Sequence, residues 1–234
     1  MKRRPSGLLL AVLAFALMLG ASTRAEAAFF AYICNDPLCV GGGDVVVQDQ
    51  VAGDLSPVPG QLVMLGFGVG GLTVTLNNSQ SKPLIGSATS PILDLGFSAT
   101  GVGQAWLYAS DTSFLGAQVG TLMIDGNSVG TGNISAAAWW SPNNANWSAP
   151  LQVLFASIGP LPFGPGASDI DGQTAGAFGQ AAPYGLTVGV RIQRLTDSGT
   201  TTGDLLLVPE PASMALFGLG LMGFGIVSRR RQRQ

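Results

Sequence analysis

Asp169 and Asp171 stand two apart in "SDIDGQT". A D-x-D-G run offers calcium what it takes, hard carboxylate and carbonyl oxygens on a tight glycine turn. The twelve-residue loop ending in glutamate that completes an EF-hand is missing, so two readings stand: a weak calcium pair or solvated turn aspartates. Two carboxylates are also the equipment of glycoside hydrolysis, provided both line one cleft. Asp44, Asp49 and Asp54 recur at intervals of five, and along a strand the first two would point to opposite faces. Ser79 and Lys82 in "SQSK" have a spacing that sets a lysine beside a serine nucleophile on a helix, but Asn77, Asn78 and Pro83 favour a turn. "GFGVGG" fits G-x-G-x-x-G at Gly66, Gly68 and Gly71, yet "LTVTL" follows where a dinucleotide site needs a helix. A Ser-His-Asp triad is excluded, because the chain has no histidine. The chain therefore reads as non-enzymatic and without a cofactor.

Two further groups have binding chemistry. "AAAWWSPNNANWS" sets Trp139, Trp140 and Trp147 among asparagines. Indole faces with amide neighbours are what a sugar ring needs, and the same tryptophans could instead plug one end of the fold. Cys34 and Cys39 in "ICNDPLC" are the only cysteines. A metal pair would need more ligands than this chain offers. In an oxidising compartment they form a disulfide around Asp36 and Pro37.

The elements that must position these residues are strands. In "YGLTVGVRIQRL", Leu186, Val188, Val190 and Ile192 alternate with Thr187, Gly189, Arg191 and Gln193, the period of a half-buried strand. Eight more runs resemble it: "DVVVQ", "QLVMLGF", "LTVTL", "PILDLGF", "QAWLYA", "GTLMID", "LQVLFA" and "DLLLV". Turn signals such as "GGGD", "PVPG", "NNSQ", "DGNS", "SPNN" and "GPGAS" separate them, and "IGPLPFGPGAS" reads as a long loop. With 34 glycines and 14 prolines in 234 residues, the expectation is an all-β fold, an antiparallel sandwich of jelly-roll type.

The two ends differ from this body. Residues 1–27 have a basic start, an apolar run from Leu8 to Leu19 and a small-x-small close at Ala25-Glu26-Ala27. That is the layout of a secretory signal peptide, with the mature sandwich domain at 28–207. Within that body, eleven aspartates face only Lys82, Arg191 and Arg194, a net charge of −8. Nucleic acid, whose binding needs cations to displace counterions, is excluded as a partner.

Residues 208–234 form a tail in three ordered parts. Val208, Pro209, Glu210 and Pro211 come first, and prolines keep such a segment out of a helix. Met214–Val227 follows, 14 residues with Gly218, Gly220, Gly223 and Gly225. As a helix it reaches about 21 Å against a hydrocarbon core of roughly 30 Å, so it reads as a short transmembrane helix, tilted or thinning the bilayer. Arg229, Arg230, Arg231 and Arg233 then hold that end on the cytoplasmic side.

This arrangement resembles the PEP-CTERM sorting domain. The resemblance implies a Gram-negative, exopolysaccharide-producing source. It implies as partner an exosortase, a membrane-embedded cysteine transpeptidase that reads the Pro-Glu-Pro segment and cuts near it. The expected course is export, temporary tethering, processing, and delivery to the cell surface or exopolysaccharide. The alternative role for the body is a carbohydrate-binding module.

Overall fold

The computed structural model describes residues 28–116, 119–148, 151–179, 183–196 and 199–210. The signal peptide, the Met214–Val227 segment, Pro211 and the terminal arginines lie outside them. Among the described residues no helix is long and apolar enough to cross a membrane.

The described chain forms twelve strands: β1 Phe30–Cys34, β2 Val45–Gln48, β3 Gln61–Val69, β4 Leu72–Gln80, β5 Leu93–Gly101, β6 Gly103–Phe114, β7 Val119–Val129, β8 Gly132–Ser141, β9 Val153–Phe163, β10 Ala167–Ala177, β11 Tyr184–Arg194 and β12 Thr200–Pro209. They make two six-stranded sheets, ordered β2-β1-β6-β11-β8-β9 and β10-β7-β12-β5-β4-β3. The pairings are antiparallel, as in Val190–Leu107 and Leu205–Ile124. This is the expected two-sheet sandwich. Period-2 alternation turns Leu107, Ile134, Val188 and Ile192 of the first sheet and Leu76, Phe97, Ile124 and Leu205 of the second into one shared core.

Three strands carry no sequence signal strong enough to be expected: β1, β8 and β10. β8 is built on "ISAAAWW", where alanines mask the alternation of Ile134, Ala136 and Ala138. β10 is "ASDIDGQTAGA", of low β propensity, and holds only because all eleven of its residues pair with β7. The supposed long loop "IGPLPFGPGAS" is instead the end of β9 and the start of β10. Likewise Asn77 and Asn78 belong to β4 rather than to a turn. "GFGVGG" makes the β3–β4 hairpin: Val69 pairs with Leu72 across Gly70 and Gly71. Both have positive φ, at 55° and 84°, as a two-residue type I′ loop requires.

Two buried cations pin the rims. Arg194 is 1% exposed. Its guanidinium donates to the carbonyls of Gly101, Val129 and Gly199 and to the Thr201 hydroxyl, tying the ends of four strands or their loops together. Lys82 pairs with Asp111 at 2.9 Å, both buried. The Ser81 hydroxyl and the Thr112 amide donate to the same carboxylate, and Lys82 also donates to the Thr112 carbonyl. Burial presses the Lys82 ammonium below the ordinary lysine range, against the pull of Asp111. This pair ties the segment after β4 to β6 in the opposite sheet. Lys82→Met therefore strands a buried carboxylate and costs about 3–5 kcal/mol, read as a lower urea midpoint. Adding Asp111→Asn, which keeps the Ser81 and Thr112 bonds, restores part of the loss.

Candidate functional site

The outward side chains of the first sheet fall in cross-strand rows. Tyr32, Tyr108, Gly189 and Ala137 make one, and Cys34, Trp106, Arg191 and Ser135 the next. Gln104, Gln193 and Asn133 make a third. Cys34 bonds to Cys39 with Cα atoms 5.2 Å apart, so the disulfide lies on this face. Tyr108 lies flat there because Gly189 has no side chain; a Cβ at Gly189 would collide with its ring. The Tyr108 hydroxyl donates to the Pro37 carbonyl at 2.9 Å, fastening the disulfide loop. Burial pushes the hydroxyls of Tyr108 and Tyr32 upward, Tyr32 to about 12, so both are neutral donors at any ordinary pH.

The structure divides the three tryptophans singled out by sequence. Trp147 stacks on Tyr108 with centroids 4.2 Å apart and an interplanar angle of 17°. Trp139 meets Trp147 edge-on at 5.0 Å. Trp140, one residue further along β8, turns inward and packs on the core between the sheets. The three do not form one platform. Two belong to an aromatic cluster on the outer face, and the third is core.

That cluster borders a polar group which the sequence reading did not single out. The Arg191 guanidinium lies 5.9 Å from the Trp106 ring centroid. It donates to the side-chain oxygens of Gln104 at 3.0 Å and Gln193 at 3.2 Å. Asn133 donates to the same Gln193 oxygen at 2.9 Å. With their oxygens so engaged, the two glutamines keep amide N–H groups for donation. Lys82 and Arg194 are buried, so among the described residues Arg191 is the one cation left at the surface. The signal was in the sequence: Arg191 and Gln193 alternate with the apolar residues of β11, and Trp106 falls out of phase with Leu107.

The second sheet's outer face is acidic. Asp171, Asp125 and Asp204 are in register across β10, β7 and β12. Asp169 lies two residues along from Asp171, both exposed on an edge strand rather than at a turn or in a cleft. Among the described residues no group of three or more histidine, cysteine or acidic side chains is placed to hold a metal. Asp44, Asp49 and Asp54 cap loops: Asp49 accepts from the Gly60 amide, and Asp54 from those of Gln50, Ser56 and Val63.

At the end of β12, Val208 and Pro209 pair with Thr121 and Gly120 of β7. The strand thus runs two residues past the boundary expected at 207, into the Pro-Glu-Pro segment.

The fold and its rims define an antiparallel two-sheet sandwich whose final strand continues directly into the tail. Within that tail, residues 207–231 match the PEP-CTERM protein-sorting motif, which marks an exported protein directed to the cell surface. No curated protein matches the chain. Among solved structures, TmCBM61 in complex with β-1,4-galactotriose is similar at 11% identity and a TM-score of 0.32, over 68% of this chain and 92% of that one. The K1 cleaved adhesin domain of Lys-gingipain from Porphyromonas gingivalis W83 is similar at 12% and 0.33, over 61% and 85%. The carbohydrate-binding module TmCBM27, studied for mannan recognition, gives 12% and 0.28, over 52% and 75%. With TM-scores this low, the fold assignment rests on the strand pairing itself.

Burial, and then the neighbouring Asp204, push the Asp94 carboxyl on β5 up to about 7. Asp204 is itself raised by burial and by Asp125. The folded protein thus holds a proton on Asp94 that the unfolded chain releases near pH 4. Stability from this group falls as pH rises from about 4 to 7 and is level above that. Asp94→Asn should flatten that slope and raise the urea midpoint at pH 7.5, checked by unfolding at a series of pH values.

Proposed function

We propose that this is a non-enzymatic surface or matrix protein, exported by the 1–27 signal peptide and tethered through Met214–Val227. An exosortase then processes it at Val208–Pro211, for delivery to the envelope or exopolysaccharide. The match of residues 207–231 to the sorting motif carries this reading. A compact sandwich with one disulfide and buried rim cations suits an exposed extracellular setting. The intact mass of the native protein tests it: the extracellular form should lack the apolar segment and the arginines, and the membrane form should keep them. Glu210→Ala should accumulate the membrane form. If every molecule retains Arg233, the tail is a permanent anchor and this reading is wrong.

A second reading is supported by the outer face of the first sheet: the sandwich binds polysaccharide there, and the ligand carries carboxylates. Among the described residues Arg191 is the one surface cation that a carboxylate can meet, and Trp106, Gln104, Gln193 and Asn133 offer ring and amide contacts beside it. A charged hydrogen bond contributes about 1.5–3 kcal/mol, so Arg191→Gln should weaken binding of a uronic-acid polysaccharide roughly 10-fold or more in gel retardation. Trp106→Ala should weaken uronic and neutral chains alike. Equal retardation of wild type and both variants by either polymer would remove the site.

A further inference from the structure

Glu210 is held by the folded body. Its amide N–H donates to the Val119 carbonyl at 3.0 Å, and its carboxylate accepts from the Thr121 hydroxyl at 3.2 Å. Pro209 opposite Gly120 is thus a non-hydrogen-bonded pair, flanked by the Glu210 bond. The N–H that Pro209 lacks would have pointed away from β7, toward β5, whose register with β12 ends at Leu93–Leu207. The proline closes the strand without removing a ladder bond. One step earlier, Leu205 and Leu207 are buried in the core, so β12 cannot leave the sheet as far back as Leu207 without opening the sandwich. Beyond Leu207 the attachment is the hydrogen-bonded Val208–Thr121 rung, the Pro209–Gly120 pair and these two bonds of Glu210.

An enzyme that reads Val-Pro-Glu-Pro needs the backbone of that segment and the Glu210 carboxylate for its own groups, and both are engaged with β7. A long linker is not there to compensate. Met214 follows Glu210 by four residues, at most about 14 Å of chain.

We propose that the sorting motif is strand-held: Thr121 and the Val119 carbonyl position Glu210 on β7, and processing requires Val208–Glu210 to peel from the sheet first. This rests on the reading of the tail as an exosortase substrate. Thr121 is a positioning residue, acting through Glu210. Strand ends open locally far more readily than cores, so the step is a brake whose strength the body sets, and the folded state of the second sheet is felt at the cutting site.

The test is a pulse-chase of the full-length chain in its own producing cells, following conversion of precursor to processed form. Thr121→Val removes the hydroxyl while keeping shape and strand preference, and should speed conversion severalfold. Thr121→Ser keeps the donor and should stay at the wild-type rate. A six-residue Gly-Ser insertion between Leu207 and Val208 frees the motif without touching β7, and should match or exceed Thr121→Val. In the purified precursor, hydrogen exchange of the Glu210 amide should quicken in Thr121→Val and not in Thr121→Ser. Unchanged or slower conversion in both Thr121→Val and the insertion variant overturns the brake. Glu210→Ala run in parallel reports on the sorting reading itself: a block supports it, and normal processing of that variant sinks it whatever Thr121 does.

Discussion

The two sheets must bury their inner faces against each other, and this constraint governs the molecule. The two inner faces interdigitate Leu107, Val188 and Ile192 with Phe97, Ile124 and Leu205. Because side chains alternate, fixing that core also fixes which residues line each outer face. Tyr108 and Trp106 face outward because Leu107 faces inward. Asp125 and Asp204 face outward because Ile124 and Leu205 do not. What each sheet can present to a partner is therefore set by residues out of phase with the core, joined on the first sheet by Trp147 and the disulfide loop.

The two outer faces differ in chemistry for a simple electrostatic reason. Among three body cations, burial takes Lys82 and Arg194 out of the surface field and makes them rim fasteners. Lys82 holds the segment after β4 to the opposite sheet, and Arg194 gathers the carbonyls of three chain segments. The remaining cation, Arg191, falls on the aromatic face, while Asp94, Asp125, Asp171 and Asp204 fall on the other. One face is a ring-and-amide surface with a positive point, the other a set of carboxylates with no cation beside them among the described residues.

The tail meets the body without a break. β12 lies between β7 and β5, carries core residues up to Leu207, and ends on the first proline of the sorting segment. Folding and sorting therefore share residues: Val208 and Pro209 are at once the strand's last rung and the motif's start. Proline suits both roles, since it ends a ladder from a position where no donor is wanted and holds the residue before it in extended backbone.

By itself the sequence determined the fold class, the acidic body, the cysteine pair and the tail. Alternation, turn residues, charge counts and an ordered motif are local properties, written within windows of a few residues. β11 was legible because branched aliphatic residues mark every second position. β8 and β10 were not, because alanine, glycine and aspartate leave no period to read, and only pairing along their length makes them strands. Tertiary structure alone decided that Trp140 belongs to the core while Trp139 and Trp147 do not. It brought Trp106 beside Arg191 and set Asp204 against Asp125. It also carried β12 two residues into the motif. These depend on register between strands up to 90 residues apart, and register is settled by the shared core, which no short stretch of sequence contains.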